Sequence, residues 1–320
     1  DAPRFLYLSG AGAALLWGAL LAEAIALLPR ARWRAGIAAA TLALVLAPGA
    51  IFIWQGIEWH RLAAAPLRQA VALAGRHSES ALFVNLPGRV GPAGPGLYPY
   101  FDSGAFPLPA QVNEHDLTGE TRPDDRAVSA GYLLAQPGYR LDLYGPSIDV
   151  ASLAEQVPGR RVFVTDYSGP QPVLRYSGSA HEAASACAHP LARFGDTLVL
   201  CEADMTTAGK ARLLWELRPG SANPDALAVF VHVLTPDGSL VGQADGDPLS
   251  GVYPIQHWLR PAGKPVQVED VRVLPVLPAG EYTVFAGIWT PATGERLPAL
   301  DATGQPFADK RVPIGTLIVP

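Results

Sequence analysis

The sequence predicts three parts in order: an α-helical transmembrane hairpin, a small extracytoplasmic α/β region and a C-terminal all-β sandwich. Three observations predict this order. The first 57 residues contain only six charged residues, and two stretches of more than 20 residues contain one or none, although charged residues make up 17% of the whole chain. Short apolar runs separated by long loops occupy residues 58–190. Residues 191–320 alternate strand-like runs with turn residues, which is typical of a β-sandwich.

The composition excludes several classes of protein. With 24 Lys and Arg against 29 Asp and Glu, the formal net charge is −5, so the chain lacks the basic surface of a nucleic-acid-binding protein. The two cysteines are too few for a disulfide-dense scaffold or a Cys-rich zinc module. The chain contains no P-loop, HExxH or CxxC motif, and no GxGxxG between a strand and a helix. We therefore expect no cofactor and no nucleic-acid partner.

Residues 1–57 predict two transmembrane helices, roughly Phe5–Leu28 and Gly36–Ile57. The first segment contains a single charge, Glu23, and the second contains none. An apolar helix of about 20 residues crosses a bilayer, and only a helix satisfies its own backbone there. Glu23 is expected to extend toward the cytoplasmic face; the alternative is a polar contact with a partner subunit. The lipid bilayer is thus an expected partner.

The loop between these helices carries Arg30, Arg32 and Arg34, which predicts that it is cytoplasmic. Residues after about 57 would then lie on the extracytoplasmic side of the inner membrane. Because an outer N-terminus beginning with Asp1 is unusual, Asp1 is expected to follow a processing site or a fragment boundary.

Small residues recur at every fourth position in both predicted helices, and this spacing places each set on one face. Such ridges allow close helix packing, either between the two helices or against the helices of other transmembrane proteins in a larger complex. A composition rich in Ala is the alternative explanation. The residues are Gly10, Ala14, Gly18 and Ala22 in the first helix, and Ala35, Ala39, Ala43 and Ala47 in the second.

Residues 58–190 predict a small α/β region. A helix over residues 58–76 is expected to continue out of the membrane, and Pro66 is a candidate for ending it. The apolar run Ala81–Leu86 is bounded by turn residues and predicts a strand. Many Pro and Gly residues in the loops indicate that this region depends on a neighbouring domain for its core.

Residues 191–320 predict a sandwich of the immunoglobulin or fibronectin type III kind. Val229, Val231 and Val233 are expected on one face of their strand, and Phe230, His232 and Leu234 on the other. His232 is interpreted as a core histidine bonded to a neighbour. The predicted strands are Thr197–Ala203, Ala211–Leu217, Leu227–Leu234, Ser239–Gln243, Val266–Leu274, Tyr282–Trp289 and Val312–Val319.

Cys187 and Cys201 are predicted to form a disulfide on the oxidising side of the membrane, closing a loop of about 14 residues. This bridge would join the segment before the sandwich to its first strand.

Two groups of residues are candidates for ligand binding. Trp215, Tyr253 and Trp258 could form a platform on which a glycan stacks, although core packing is the commoner role of such side chains. Asp237, Asp245 and Asp247 could supply oxygen ligands to calcium, although turn formation explains them better. No catalytic residue is predicted.

A resemblance to a known family rests on three segments. The opening DAPRFLYLSGAGAALLWG resembles the start of a late transmembrane helix in bacterial polytopic GT-C glycosyltransferases. The segments FVHVLTPDGSLVGQADGDPLSGVYPIQHWLRPAG and LPAGEYTVFAGIWTPATGERL resemble the β-sandwich appended to such proteins. The resemblance implies lipid-linked-sugar chemistry, but the early acidic loop and the many helices of such enzymes do not occur in this sequence. Transferase activity would have to come from sequence upstream.

Three functions follow as hypotheses. The leading one is a membrane-anchored, non-catalytic accessory or structural subunit that docks on partner membrane proteins. The second is the C-terminal portion of a lipid-linked-sugar glycosyltransferase. The third is a carbohydrate-binding module, with a glycan as its partner.

Overall fold

The computed structural model describes residues 17–20, 22–23, 25–26, 31–74, 80–91, 101–102, 126–196, 198–206, 209–218, 226–258 and 264–320. The chain divides into two compact units, Asp1–Trp59 and His60–Pro320. The described parts of residues 17–26 are helical. Residues 31–59 of the first unit belong to a long helix, and the second unit is mostly β-sheet.

Helix α1 spans Ala31–Ala74 and helix α2 spans Val150–Glu155. Short 3₁₀ turns lie at Gly131–Leu133, Leu249–Gly251, Ile255–His257 and Ala308–Lys310. The strands in the described residues are β1 Ala81–Val84, β2 Pro87–Gly91, β3 Phe101–Asp102, β4 Arg126–Val128, β5 Arg140–Leu143, β6 Arg161–Asp166, β7 Val173–Glu182, β8 Ala192–Phe194, β9 Leu198–Thr206, β10 Lys210–Leu217, β11 Ala228–Leu234, β12 Leu240–Gln243, β13 Val266–Val273, β14 Gly280–Thr290, β15 Glu295–Arg296, β16 Ala299–Leu300 and β17 Val312–Val319.

The predicted transmembrane hairpin is wrong. Within the described ranges, no helix combines the length and the hydropathy that crossing a bilayer requires. The inner-membrane localisation rested on that hairpin and is corrected with it. The sequence predicted a loop and then a second helix, whereas the structure has one continuous helix, α1, of 44 residues. It includes Arg32 and Arg34, which were expected in a loop, and it continues through Pro66.

A mixed sheet of nine strands forms the centre of the second unit, in the order β16-β8-β9-β10-β13-β7-β6-β1-β4. Strands β4, β1 and β6 are parallel, and all the other neighbours are antiparallel. The sheet therefore takes strands from both sides of residue 190. The predicted fold class, with an immunoglobulin- or fibronectin-type sandwich confined to residues 191–320, is wrong, because several of the predicted sandwich strands belong to this sheet. Gly178 of β7 is paired with Val162 on one side and Asp270 on the other, at a φ of +135°.

A second sheet, β12-β11-β14-β15 with β17 also on β14, packs against the first. Val229, Val231 and Val233 share one core with residues of the nine-stranded sheet, whereas Phe230 and His232 lie outside that core. This confirms the predicted alternation in β11 and agrees with the C-terminal β-sheet region expected from the sequence. A third, small sheet has the order β3-β2-β5.

The last turns of α1 cover the opposite face of the nine-stranded sheet. Leu67 and Ala70 pack against Phe83 and Phe163 in a separate apolar core. The two phenylalanine rings stack with centroids 5.4 Å apart. Strands β4, β1 and β6 therefore have apolar packing on both faces, as parallel strands usually do.

Beyond the edge of α1, that same face carries a polar network centred on Glu269, whose side chain is 17% exposed. Its carboxylate accepts hydrogen bonds from the Tyr176 hydroxyl at 2.5 Å and from Arg212 Nε at 2.5 Å. The Arg161 guanidinium lies 4.6 Å from the centre of the Tyr176 ring. Burial raises the pKa of Glu269, but the hydrogen bonds from Tyr176 and Arg212 outweigh it and hold that pKa below its ordinary value of 4.5.

Replacing Glu269 should make the sheet less stable in a pH-dependent way. Because the folded pKa is lowered, the carboxylate stabilises the fold above about pH 4.5, and this contribution is lost as the pH falls further. We expect Glu269→Gln to lower the free energy of unfolding by about 1–3 kcal/mol at pH 7, with a smaller difference at pH 3. Urea unfolding at both pH values measures this. The exposed Glu281→Gln is the control, and equal losses in both variants would contradict the network.

Candidate functional site

A cleft of about 570 Å³ lies where the two large sheets meet. Its walls come from the end of β6, the start of β7, the residues after β12 and the end of β13. The carboxyl ends of parallel strands, such as β6, are frequent ligand-binding positions in mixed and α/β sheets. The polar side chains used below are Asp166, Arg175, Ser177, Asp245, Ser250 and Arg272.

Asp166 and Arg175 face each other across the β6–β7 hairpin. Arg175 Nε donates to Asp166 Oδ2 at 2.9 Å, and the backbone N–H of Ser168 donates to Asp166 Oδ1 at 2.8 Å. Burial raises the pKa of Asp166, but the hydrogen bonds from Ser168 and the Arg175 charge outweigh it and lower that pKa. Asp166 is therefore ionised at neutral pH, and the hairpin presents an acceptor beside a donor.

A strained turn supplies the opposite wall. Leu249 and Ser250 have positive φ angles of 56° and 58°, and Gly251 follows at 88°. Left-handed backbone in residues other than glycine costs about 1–3 kcal/mol each. The turn is fixed because the backbone N–H of Leu249 donates to Asp270 Oδ1 at 2.9 Å, and Ser250 Oγ lies 3.0 Å from Ser177 Oγ. The result is a pair of hydroxyls held in the cleft.

A buried ion pair lies beneath this turn. Arg272 Nε donates to Asp270 Oδ2 at 2.7 Å, and the two side chains are 7% and 0% exposed. Arg272 Nη2 also donates to the carbonyl of Gly246 at 3.0 Å. One guanidinium on β13 of the first sheet therefore binds the segment that follows β12 of the second sheet.

Asp245 is held beside His232. Its carboxylate accepts a hydrogen bond from the backbone N–H of Val231 at 3.2 Å and lies 3.2 Å from His232 Nε2. His232 is 8% exposed, so the interpretation of a buried histidine bonded to a neighbour is confirmed, although it lies outside the apolar core that the two large sheets share. Among the described residues that line the cleft, the carboxylates are Asp166 and Asp245 and the guanidiniums are Arg175 and Arg272. Arg175 pairs with Asp166, whereas Arg272 pairs with the buried Asp270.

The structure places the aspartates considered for calcium in separate roles. Asp237 accepts hydrogen bonds from Thr235 and Ser239 within a tight turn, and Asp245 lies in the cleft. Burial raises the pKa of Asp247. Asp237, Asp245 and Asp247 do not form a group of close ligand atoms; within the part of the chain that the structure describes, Cys187, Cys201 and Glu216 do.

The aromatic residues considered as a glycan platform are buried. Trp215 and Tyr253 are 0% exposed and Trp258 is 3% exposed. Tyr253 and Trp258 stack with centroids 6.1 Å apart, and Trp258 Nε1 donates to the Tyr253 carbonyl at 2.9 Å. These rings pack in the core that the two large sheets share, and they offer no face to a sugar.

The helix residues singled out in the sequence have different outcomes. Gly10, Ala14 and Arg30 lie outside the described residues. Gly18, Ala22 and Glu23 are exposed on described helical residues. The second ridge is exposed along α1 at Ala35, Ala39, Ala43 and Ala47.

The disulfide between Cys187 and Cys201 is present, with Cα atoms 6.0 Å apart. It joins the loop after β7 to β9, as the sequence indicated. A second cleft, of about 610 Å³, reaches both cysteines.

Sequence reasoning missed the cleft because its residues come from four distant segments without a spacing motif. One signal was available. Asp270 and Arg272 are two positions apart in the run VQVEDVRVL, so they share the otherwise apolar face of Val266, Val268 and Leu274. Two opposite charges on the core face of a strand indicate a buried ion pair.

Replacing Asp270 should destabilise the fold strongly, because it leaves the Arg272 guanidinium buried without an anion. We expect Asp270→Asn to cost about 3–5 kcal/mol. The matched control is Asp166→Asn, whose pair with Arg175 is about one-third exposed on both sides and should cost less than about 1 kcal/mol. Urea unfolding at pH 7 compares the variants. Similar losses would show that burial of the pair does not matter.

Comparisons of this chain with protein-family models and with curated proteins found no match.

Proposed function

We propose that this chain is a non-catalytic recognition module and that its cleft binds a neutral, polyhydroxylated ligand of the carbohydrate class. The charge balance of the cleft carries the proposal. The charged groups among its described lining residues already have partners within the protein: Asp166 pairs with Arg175 and Arg272 pairs with Asp270. Asp245 accepts from the backbone N–H of Val231 and faces His232, so neither an anion nor a cation meets an uncompensated charge there. A sugar hydroxyl both donates and accepts hydrogen bonds, and it suits a wall on which donors and acceptors alternate.

The polar groups are held in place before any ligand arrives. Asp166 and Arg175 orient each other, and the hydroxyl of Ser250 is fixed against that of Ser177. Such groups lose little conformational entropy on binding, and affinity benefits directly. Val273, Pro275 and Val276 add an exposed apolar rim to the same cleft, which suits the C–H face of a sugar ring.

The described lining residues of the cleft include one hydroxyl beside a carboxylate: Ser168 Oγ donates to Asp166 Oδ1 at 2.6 Å. Because Asp166 also pairs with Arg175 and its pKa is lowered, it is a poor base. The Ser250 hydroxyl pairs with another hydroxyl, and no histidine is among the described lining residues. Nucleophilic catalysis by serine requires an adjacent base. Recognition is therefore the simpler role for these side chains.

Binding to neutral sugars tests this proposal. Saturation-transfer NMR and calorimetry should detect glucose, mannose, galactose, maltose or cellobiose in the cleft. We expect Arg175→Ala to raise the dissociation constant by about 10-fold, because one hydrogen bond from a charged donor is lost.

The control for this measurement is Arg193→Ala, an exposed arginine on β8, far along the sheet order from β6 and β7. It should leave the affinity unchanged. Equal weakening by both substitutions, preference for an anionic sugar such as a heparin fragment, or binding of none of the neutral sugars would each refute the proposal.

A second candidate function is an accessory subunit that docks on a partner protein. It is favoured by large apolar side chains that are exposed on α1, including Leu44 at 77% and Trp54 at 67%. Exposed apolar surface of this extent marks interaction sites. The segment from Ala35 to Ile57 carries no charge, and its exposed alanine ridge permits close approach. The occupant we infer is an apolar α-helix of another protein.

Site-specific cross-linking tests this candidate. A photo-reactive side chain at position 43, on the ridge, should give one discrete adduct in the native cell, and Ala39→Arg should remove it. Position 38 is exposed on another face of α1 and should give none. An adduct that maps to a charged surface, or equal adducts at both positions, would contradict helix docking.

A further inference from the structure

The buried carboxylate of Glu216 lies beside the disulfide, and only one of its two oxygen atoms accepts hydrogen bonds. The Glu216 side chain on β10 is 0% exposed. Its Oε2 atom accepts hydrogen bonds from the backbone N–H of Cys187 at 2.8 Å and from Gln267 Nε2 at 3.1 Å. Its Oε1 atom has no hydrogen bond, and Arg218 Nε is 3.8 Å away. A buried carboxylate oxygen without a close donor is costly, so the site is suited to a cation.

The two sulfur atoms are next to this oxygen. A carboxylate oxygen of Glu216 and the Sγ atoms of Cys187 and Cys201 all lie within 4.8 Å of one another. Thiolate sulfur and carboxylate oxygen are both ligands of Zn²⁺, at about 2.3 Å and 2.0–2.2 Å. Two thiolates on a tetrahedral Zn²⁺ are then about 3.8 Å apart. Small side-chain rotations therefore reach that geometry once the sulfurs are no longer bonded.

The site is also accessible. The cleft of about 610 Å³ is lined by both cysteines, so a small reductant and a metal ion can reach the bridge. Cys187 lies in the loop between β7 and β8, where its sulfur can move without disturbing a strand. Cys201 and Glu216 are fixed on neighbouring strands, β9 and β10.

We propose that reduction of the Cys187–Cys201 disulfide creates a site for one Zn²⁺, held by both thiolates and Glu216 with water in the fourth position. A dithiol reductant transfers two electrons to the disulfide and becomes a disulfide itself, which leaves two thiols. Zn²⁺ then replaces the two thiol protons, which pass to solvent. Three anionic ligands around Zn²⁺ leave one net negative charge, and the nearby Arg218 guanidinium offsets it.

Zinc titration of the reduced and oxidised protein tests the proposal. The chain is reduced with a phosphine, transferred to metal-free buffer and titrated with Zn²⁺ in a calorimeter. The reduced protein should bind one Zn²⁺ per chain and the oxidised protein none. Glu216→Gln should weaken binding by at least about 10-fold, and Cys201→Ser should weaken it further. The control is Glu202→Gln, an exposed carboxylate that lines the same cleft.

Thermal unfolding provides a second measurement, which remains informative if reduction of the disulfide destabilises the protein. Because metal bound to the native state adds to its stability, Zn²⁺ should raise the Tm of the reduced wild type and leave the Tm of the oxidised protein unchanged. Failure of Zn²⁺ to raise the reduced Tm would overturn the proposal. Equal binding by the oxidised protein, or by Glu216→Gln, would do the same.

Discussion

The ion pair between Asp270 and Arg272 connects the nine-stranded sheet with the segment that follows β12 of the second sheet. Asp270 receives the backbone N–H of Leu249, and Arg272 reaches the carbonyl of Gly246. One strand of the nine-stranded sheet thus holds the turn and the loop that belong to the second sheet. Two charges removed from water require complete pairing, and this requirement fixes where the two sheets sit relative to each other.

The geometry of the cleft follows from that constraint. Ser250 adopts a left-handed backbone, which would relax in an isolated turn. Here the hydrogen bond from Leu249 to Asp270 holds the turn, and the Ser177 hydroxyl faces it from β7. The buried hydrogen bond to Asp270 thus fixes the position of the Ser250 hydroxyl in the cleft. A recognition surface built this way is rigid because its support is buried.

Local patterns in the sequence predicted the strands well and the long-range arrangement poorly. The run from Val312 to Val319 matches β17 residue for residue, because alternation along one strand is a local property. The transmembrane hairpin failed for the opposite reason: the charge-free segment from Ala35 to Ile57 was interpreted as a membrane span, whereas it is part of one helix that continues to Leu67 and Ala70, which pack on a sheet. That contact depends on strands far along the chain.

The same distinction applies to the candidate site. The disulfide could be predicted because only one pairing of two cysteines is possible. The cleft could not, because Asp166 and Ser250 meet only through the strand order. Burial of Trp215 and Trp258 depended likewise on which faces the two sheets share. Residue type alone does not distinguish a ring that stacks on a ligand from one that fills a core.

Gly178 has a consequence for the way the molecule comes apart. At φ +135°, this residue lies against the backbone of Glu269, and a Cβ there would collide with the carbonyl oxygen of that residue. Strand β7 is consequently in close contact with β13 while it also pairs with β6. Strand β7 therefore connects the parallel strands β4, β1 and β6 with the antiparallel strands that begin at β13. A pulling force applied at either edge strand of the sheet, β16 or β4, is transmitted through β7. We therefore expect the parallel and antiparallel strands to unfold together.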